Sequence, residues 1–484
     1  MLFQLFFKLL FFIPLVNIFY LFFFNFYGRL VTLFSTLLSF FLISVLIIFF
    51  NYSSFNSQFK LDFFHSSFFN VDYSLSLDGL SVLFVFLTNL LIFLCTLLNW
   101  SASYKLKEFL ICLLFVQFFL LNVFCVGDLI LFYVFFEAIL MPLFIMIGVW
   151  GSRERKVWAA YQFFLYTLFG SVFMLLAILF VYLHAGFTDF YTLSYISFSL
   201  NRQFILWFLF FFGFAIKVPM FPVHIWLPEA HVEAPTAGSV LLAGVLLKLG
   251  TYGVLRFLIP LFPVASFYFT PLVFLFSLLG VVYASLATLT QVDLKKIVAY
   301  SSVAHMSFVV LGLFGFNIQA ISGSIFLMLS HGLVSGGLFF LVGFIYERYK
   351  TRLLPYYGGL AALMPLYSFF FLSFSLSNMA LPGTSSFIGE FLIMLGLISF
   401  NSVAAVLGSF GMVFSAAYSL WLYNRLLTGP IKSLFIKFYS DLTLKEFLIM
   451  FILLFFVIFT GFYPSLFLDI MSPYTYTFFE HILL

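Results

Sequence analysis

The feature that most constrains this chain is its series of uninterrupted apolar runs, each about as long as the ~20 residues a helix needs to cross a bilayer. About fourteen such runs follow one another with short polar connections. They are continuous and do not alternate, which excludes a membrane β-barrel. Only 8% of the 484 residues are charged and 64% are hydrophobic, against roughly a quarter charged in ordinary soluble domains. The expectation is an all-α polytopic membrane protein. No small-residue cleavage site follows the first run, so it reads as a retained helix.

The predicted spans are 5–26, 30–50, 80–100, 109–125, 129–150, 157–183, 203–223, 236–259, 267–289, 297–316, 320–345, 364–400, 403–427 and 444–463, with a polar loop between the second and third. The stretch 364–400 is too long for one straight helix, and Pro382 with Gly383 divides it. Phenylalanine supplies 81 residues. Lipid-facing positions demand only apolarity, so this excess reads as the bias of an AT-rich, organellar gene. Cys95, Cys112 and Cys125 form no C-x-x-C pair, which leaves iron–sulfur or zinc ligation without support.

Lysine and arginine orient the spans. With the N-terminus outside, 15 of the 21 Lys and Arg fall in inner loops. These include Arg153, Arg155, Lys156, Lys295, Lys296, Arg348, Arg352, Lys437 and Lys445. Lys8, Lys60, Arg202 and Arg256 fall on the outer side, Lys8 and Arg256 near the outer ends of their spans, and Lys217 and Lys248 lie well inside spans. This asymmetry is the positive-inside rule at work, and it places both termini on the less positive side.

A weak internal repeat accompanies this pattern. VFFEAILMPLFIMIG at 134 and LYTLFGSVFMLLAILFVY at 165 lie over VAYSSVAHMSFVVLG and LSHGLVSGGLFFLVGFIY at one shared offset of 164 residues. The blocks are five spans apart, so corresponding helices cross in opposite directions, as in inverted transporter repeats.

Charges inside spans carry the functional reading. Glu137, Lys217, Lys248 and Glu390 are the fully charged residues well inside predicted spans, joined by His305 and His331. A central Asp, Lys or Arg costs about 2.5–3.5 kcal/mol on insertion scales, and such residues mark bundle interiors, water paths or proton relays. Static ion pairs between helices are the competing explanation. Two of the charges sit beside helix breakers: Lys217 precedes Pro219 and Pro222, and Glu390 follows Leu381–Pro382–Gly383. Irregular backbone at membrane depth survives only inside protein or beside a cavity, and breaks paired with charges point to an ion path. Lysine suits proton work because burial and a nearby carboxylate act on it in opposite senses, and histidine relays protons through either ring nitrogen. The two central histidines would suffice for one b-type haem but not for the two usual in quinol-oxidising cytochromes. No nucleotide loop, catalytic triad or metal cluster is present.

The segment KVPMFPVHIWLPEAHVEAPTAGSVLLAGVLLKLGTYGVLRF (217–257), with QVDLKKIVAYSSVAHM (291–306), SHGLVSGGLFFLVG (330–343) and GTSSFIGEFL (383–392), resembles the antiporter-like membrane subunits of respiratory complex I. Among them it is most similar to the chain 4 family of NADH–ubiquinone oxidoreductase in its mitochondrial form. The resemblance covers about Glu137 to Leu427, and the two ends match in hydropathy only. It implies fourteen helices, two inverted five-helix repeats and broken helices seven and twelve. The implied domains are 1–108, 109–260, 261–428 and 429–484. It implies a chain of buried proton-transfer residues: Glu137, Lys217, Lys248, His331 and Glu390. His305, His224, Glu229, His231 and Glu233 are expected to relay or give access, with a hydrogen-bonded turn as the plainer reading of the last four. Glutamate at 390, where related subunits carry lysine, favours chain 4 over its paralogues.

The implied function is proton translocation coupled to electron transfer elsewhere. This chain would bind no cofactor; NADH, FMN, iron–sulfur clusters and ubiquinone would belong to partner subunits, with bound phospholipid such as cardiolipin. Its partners would be other membrane subunits of the complex, including neighbouring antiporter-like ones, and the lipid bilayer, with no nucleic acid. The implied location is the mitochondrial inner membrane, both termini towards the intermembrane space. A component of a multi-subunit sodium/proton antiporter, or a purely structural membrane subunit, are the alternatives.

Overall fold

In the computed structural model, which describes residues 2–24, 27–54, 56–66, 71–101, 104–432 and 439–483, thirteen helices are long and apolar enough to cross a membrane, and a shorter apolar helix, Ser385–Phe400, adds to them. Phe26 and Lys437 of the expected spans and loops lie outside the described residues. Two compact units divide the chain: residues 1–218, 248–270 and 469–484 form one, and residues 219–247 and 271–468 the other.

The first unit begins with Leu2–Phe23 and Gly28–Ile48, whose outward faces carry exposed Phe and Leu such as Phe19, Phe34 and Phe41. The polar loop after them is a β-hairpin: Gln58–Ser66 pairs antiparallel with Val71–Leu77, with Asp62 opposite Ser74. Its signal was present in VDYSLSL, whose polar and apolar residues alternate with the strand period of two. Leu61, Leu75 and Leu77 are buried.

The expected fifth span is two helices, Leu129–Ala138 and Leu140–Trp150. Pro142 has no N–H to give the Ala138 carbonyl, four residues back, so the ladder breaks there. Asp128 caps the first of them, accepting from the backbone N–H groups of Ile130 and Leu131 at 2.8 and 3.2 Å. Lys156–Ala185 packs closely against Leu200–Lys217 through Gly170 and Gly213, where a Cβ on Gly213 would lie 3.0 Å from the Gly170 carbonyl oxygen. The seventh span therefore ends at Lys217 and does not run to Val223 as expected, because Pro219 cannot donate to continue it. The C-terminal helix, Ser465–Leu483, completes this unit from Asp469 onward. It buries Ile470, Met471, Thr475 and Phe478 on one face, and Ile470 presses on Gly79, where a Cβ would fall 2.2 Å from its carbonyl oxygen.

In the second unit, Leu294–Leu313 and Ile318–Tyr349 are almost wholly buried. The long stretch 364–400 is divided as expected, into Pro365–Asn378 and Ser385–Phe400. Gly383 takes a left-handed φ of +93° in the connecting turn, a conformation only glycine adopts without strain. Ser385–Phe400 lies on Ile318–Tyr349 through glycines: a Cβ at Gly396 would meet the Ala320 nitrogen at 2.6 Å, and one at Gly389 the Leu327 Cα at 2.9 Å. Such stripes of small residues let membrane helices approach backbone to backbone.

Candidate proton-transfer sites

In the first unit Lys217 is the last residue of its helix and 1% exposed. Its ammonium sits at the negative end of the helix dipole and 4.3 Å from the centre of the Phe136 ring, a favourable cation–π placement. Glu137, half-buried beside Phe136, is the last residue but one of the helix Leu129–Ala138, interrupted before Pro142. The two charges act on each other and Ser171 bonds the carboxyl, yet the Lys217 Nζ and the Glu137 Oε1 make no hydrogen bond. Lys248 is 0% exposed. It lies in the short α-helical piece Leu247–Gly253, flanked by π-helical turns at Leu242–Leu246 and Val254–Leu258, a distortion frequent at functional sites. Gly250 and Gly253 admit the neighbouring helix end: Cβ atoms there would strike Val218 at 2.5 Å and the Phe214 ring at 2.2 Å.

In the second unit Glu390 has a histidine partner. Its Oε1 is 3.2 Å from His305 Nδ1, and His305 Nε2 is 3.3 Å from the Tyr418 hydroxyl. Asn378 donates to that hydroxyl at 3.4 Å. The His331 ring is 5.8 Å from that of His305, centre to centre. Both nitrogens of His305 are thus engaged, one towards a carboxylate and one towards a hydroxyl, so a proton accepted on one side and released on the other exchanges the tautomers. Glu390 Oε2 makes no hydrogen bond. Tyr418 and Asn378 escaped the sequence reading because neither is charged.

The segment after Lys217 turns and then forms the helix Trp226–Glu233. His224 packs on Phe221 and Tyr283, and burial pushes its imidazole below the ordinary range against a backbone hydrogen bond at Pro222. Glu229 pairs with Lys296 at 2.8 Å, His231 stacks on Phe339, and Glu233 pairs with Arg352 at 3.0 Å.

These pairs add buried charges to the four that the sequence places well inside predicted spans. Lys295 and Arg352, assigned to inner loops, are 1% exposed. Arg352 also meets Asp293 at 2.9 Å, and Lys295 donates to the Ala234 carbonyl at 2.7 Å. Arg256, counted on the outer side near the end of the predicted span 236–259, lies within the span Thr236–Leu261. It is bonded through Nη1 to Asp78, and Tyr191 donates to the same carboxylate at 3.2 Å. Hydropathy hides such residues because partners distant in sequence neutralise them. Among the described residues no cluster of three or more His, Cys, Asp or Glu could hold a metal ion.

Residues 126–415 match the family model of the NADH:quinone oxidoreductase/Mrp antiporter transmembrane domain. The chain is 57% identical over 404 residues to NADH-ubiquinone oxidoreductase chain 4 of Marchantia polymorpha, covering 83% of this chain and 81% of that protein. It is 55% identical over 445 residues to the protein of the same name from Arabidopsis thaliana, covering 92% and 90%. Among solved structures, a chain of respiratory complex I from Thermus thermophilus with bound NADH superposes with a TM-score of 0.89 at 30% identity, covering 98% of this chain and 99% of that one.

Proposed function

The chain belongs to the NADH–ubiquinone oxidoreductase chain 4 family of antiporter-like membrane subunits, and from this premise we propose that its buried Glu, Lys and His side chains carry the protons the complex moves. The protein is a membrane subunit of the proton-translocating NADH:ubiquinone reductase and a multi-span protein of the mitochondrial membrane. Lys217 and Lys248 are the stations of the first unit, with Glu137 setting the charge of Lys217. His331, His305 and Glu390 are those of the second, with Glu390 the terminal station of the subunit. The five-helix inverted repeats of 109–260 and 261–428 pair these stations. The Lys/Arg-rich loops face the matrix and both termini the intermembrane space of the inner membrane, and the gene is organellar. Flavin, iron–sulfur clusters, NADH and ubiquinone reside in partner subunits, neighbouring antiporter-like subunits exchange protons with this one, and phospholipid such as cardiolipin binds at the lipid-facing surface. His224, Glu229, His231 and Glu233 line an access route.

The observation that carries this reading is the open pair of Glu137 and Lys217. A pair serving as glue gains most by closing to hydrogen-bond distance, as Glu233–Arg352 and Arg348–Glu446 do at 3.0 and 2.5 Å. Breaking such a closed, buried pair costs about 3–5 kcal/mol. Lys217 instead stays unbonded at a helix end, where the interrupted backbone lets its distance from Glu137 change. Varying that distance alternately favours and disfavours the charged amine. The test is Glu137→Gln in the assembled complex, reconstituted in vesicles with NADH-driven acidification recorded. Assembly retained with pumping lost is expected; full pumping by an assembled Glu137→Gln complex refutes the reading.

A further inference from the structure

The span that carries Lys248 continues to a second polar cluster that none of the stations above includes. Lys248, Tyr252 and Arg256 recur every four residues, a spacing that keeps helical side chains on one face. Tyr252 is 1% exposed, its hydroxyl donating to the Phe124 carbonyl at 3.0 Å. Arg256 falls in the second π-helical turn. One of its nitrogens holds Asp78, another donates to the Tyr191 hydroxyl at 3.2 Å, and its guanidinium lies 4.7 Å from the centre of the Phe190 ring. Its Nε is buried without a hydrogen-bond partner. The cluster opens on a cavity of about 430 Å³ whose walls include Asp78, Arg256, Tyr191, Lys60 and, from the C-terminal helix, Tyr474. The pair thus combines an unsatisfied buried donor, a distorted helix in register with Lys248, and an adjoining cavity.

We propose that Asp78 and Arg256 form a proton-release valve through which protons leaving Lys248 pass into this cavity, a branch to the outside that rests on the reading of Lys248 as a station. The step balances simply. The Lys248 ammonium becomes a neutral amine, and the proton arrives on an Asp78 carboxylate oxygen, forming a carboxylic acid and loosening the bond to Arg256. Arginine keeps its charge throughout, so the protonated acid gains nothing from its neighbour and gives the proton up to the cavity. The pair then closes again. A fixed arginine at a constriction also opposes cations returning from outside. Tyr191, bonded to both members, holds the carboxylate while it is neutral, and Tyr474 lines the outlet.

Asp78→Asn keeps the shape and a hydrogen bond to Arg256 but cannot take up a proton. In assembled complex reconstituted in vesicles, it is expected to lower the number of protons released per NADH oxidised while leaving assembly intact. Arg256→Lys, which retains the charge, is expected to preserve that ratio, and Arg256→Gln to lower it and make the vesicles leak protons when NADH is absent. If Asp78→Asn complex assembles and releases the wild-type number of protons per NADH, the pair is a static clasp and the valve is overturned. If Asp78→Asn prevents assembly, Tyr191→Phe decides: an unchanged ratio overturns the valve, and a lowered ratio supports it. Glu137→Gln separates the two readings. Pumping lost there but unchanged in Asp78→Asn removes the valve alone, and pumping unchanged in Glu137→Gln removes the underlying stations.

Discussion

Replacing Glu390 with Gln removes a charge while keeping size and hydrogen-bonding capacity. When a proton sits on His305, an imidazolium and a carboxylate face each other at the observed 3.2 Å. At an effective dielectric of about 20, that attraction is about 5 kcal/mol. A glutamine returns only a neutral hydrogen bond, worth about 1 kcal/mol net. The charge-separated state of the relay thus becomes about 4 kcal/mol less accessible, which slows a step through it about a thousandfold at about 1.4 kcal/mol per decade. Glu390→Asp keeps the charge but withdraws it by one carbon–carbon bond, about 1.5 Å. The attraction falls by about 1.5 kcal/mol, a loss of about tenfold. The assay is NADH-driven proton uptake by reconstituted complex, with native gels confirming assembly. The expected order is wild type, then Asp, then Gln. Equal pumping by assembled Asp and Gln variants would falsify the assignment of Glu390 as a titrating site and leave it a packing residue.

Two further outcomes are expected. Protease or membrane-impermeant label should reach the Arg153–Lys156 loop from the matrix side alone, and access from the intermembrane side contradicts the orientation drawn from the lysine and arginine asymmetry. Gly396→Ala inserts a methyl group where Ala320 backbone already stands within 2.6 Å. Overpacking of this kind costs about 1–3 kcal/mol, so the melting temperature of the subunit within the complex should fall, and an unchanged value refutes the glycine contact.

The apolar runs alone determined that this chain crosses the membrane many times, because a bilayer accepts only backbone that satisfies its own hydrogen bonds. Lysine and arginine placement gave the proposed orientation of the spans, and the breakers at Pro219 and Pro382–Gly383 marked two of the interruptions, since a missing N–H or a positive φ is a local property. Pro142 carried the same information for the break beside Glu137, and VDYSLSL carried the strand period. Tertiary structure decided the rest. Nothing local joins Glu390 to His305 and Tyr418, which converge from three helices, or Asp78 to Arg256 across 178 residues. Hydropathy scores each residue by its own transfer cost, whereas a buried charge is tolerated only through a partner. Whether Lys295 or Arg352 lay in water or in the core was therefore settled by residues far away in the chain. The open geometry of Glu137 and Lys217, against the closed pairs elsewhere, is likewise a matter of distances that only packing sets.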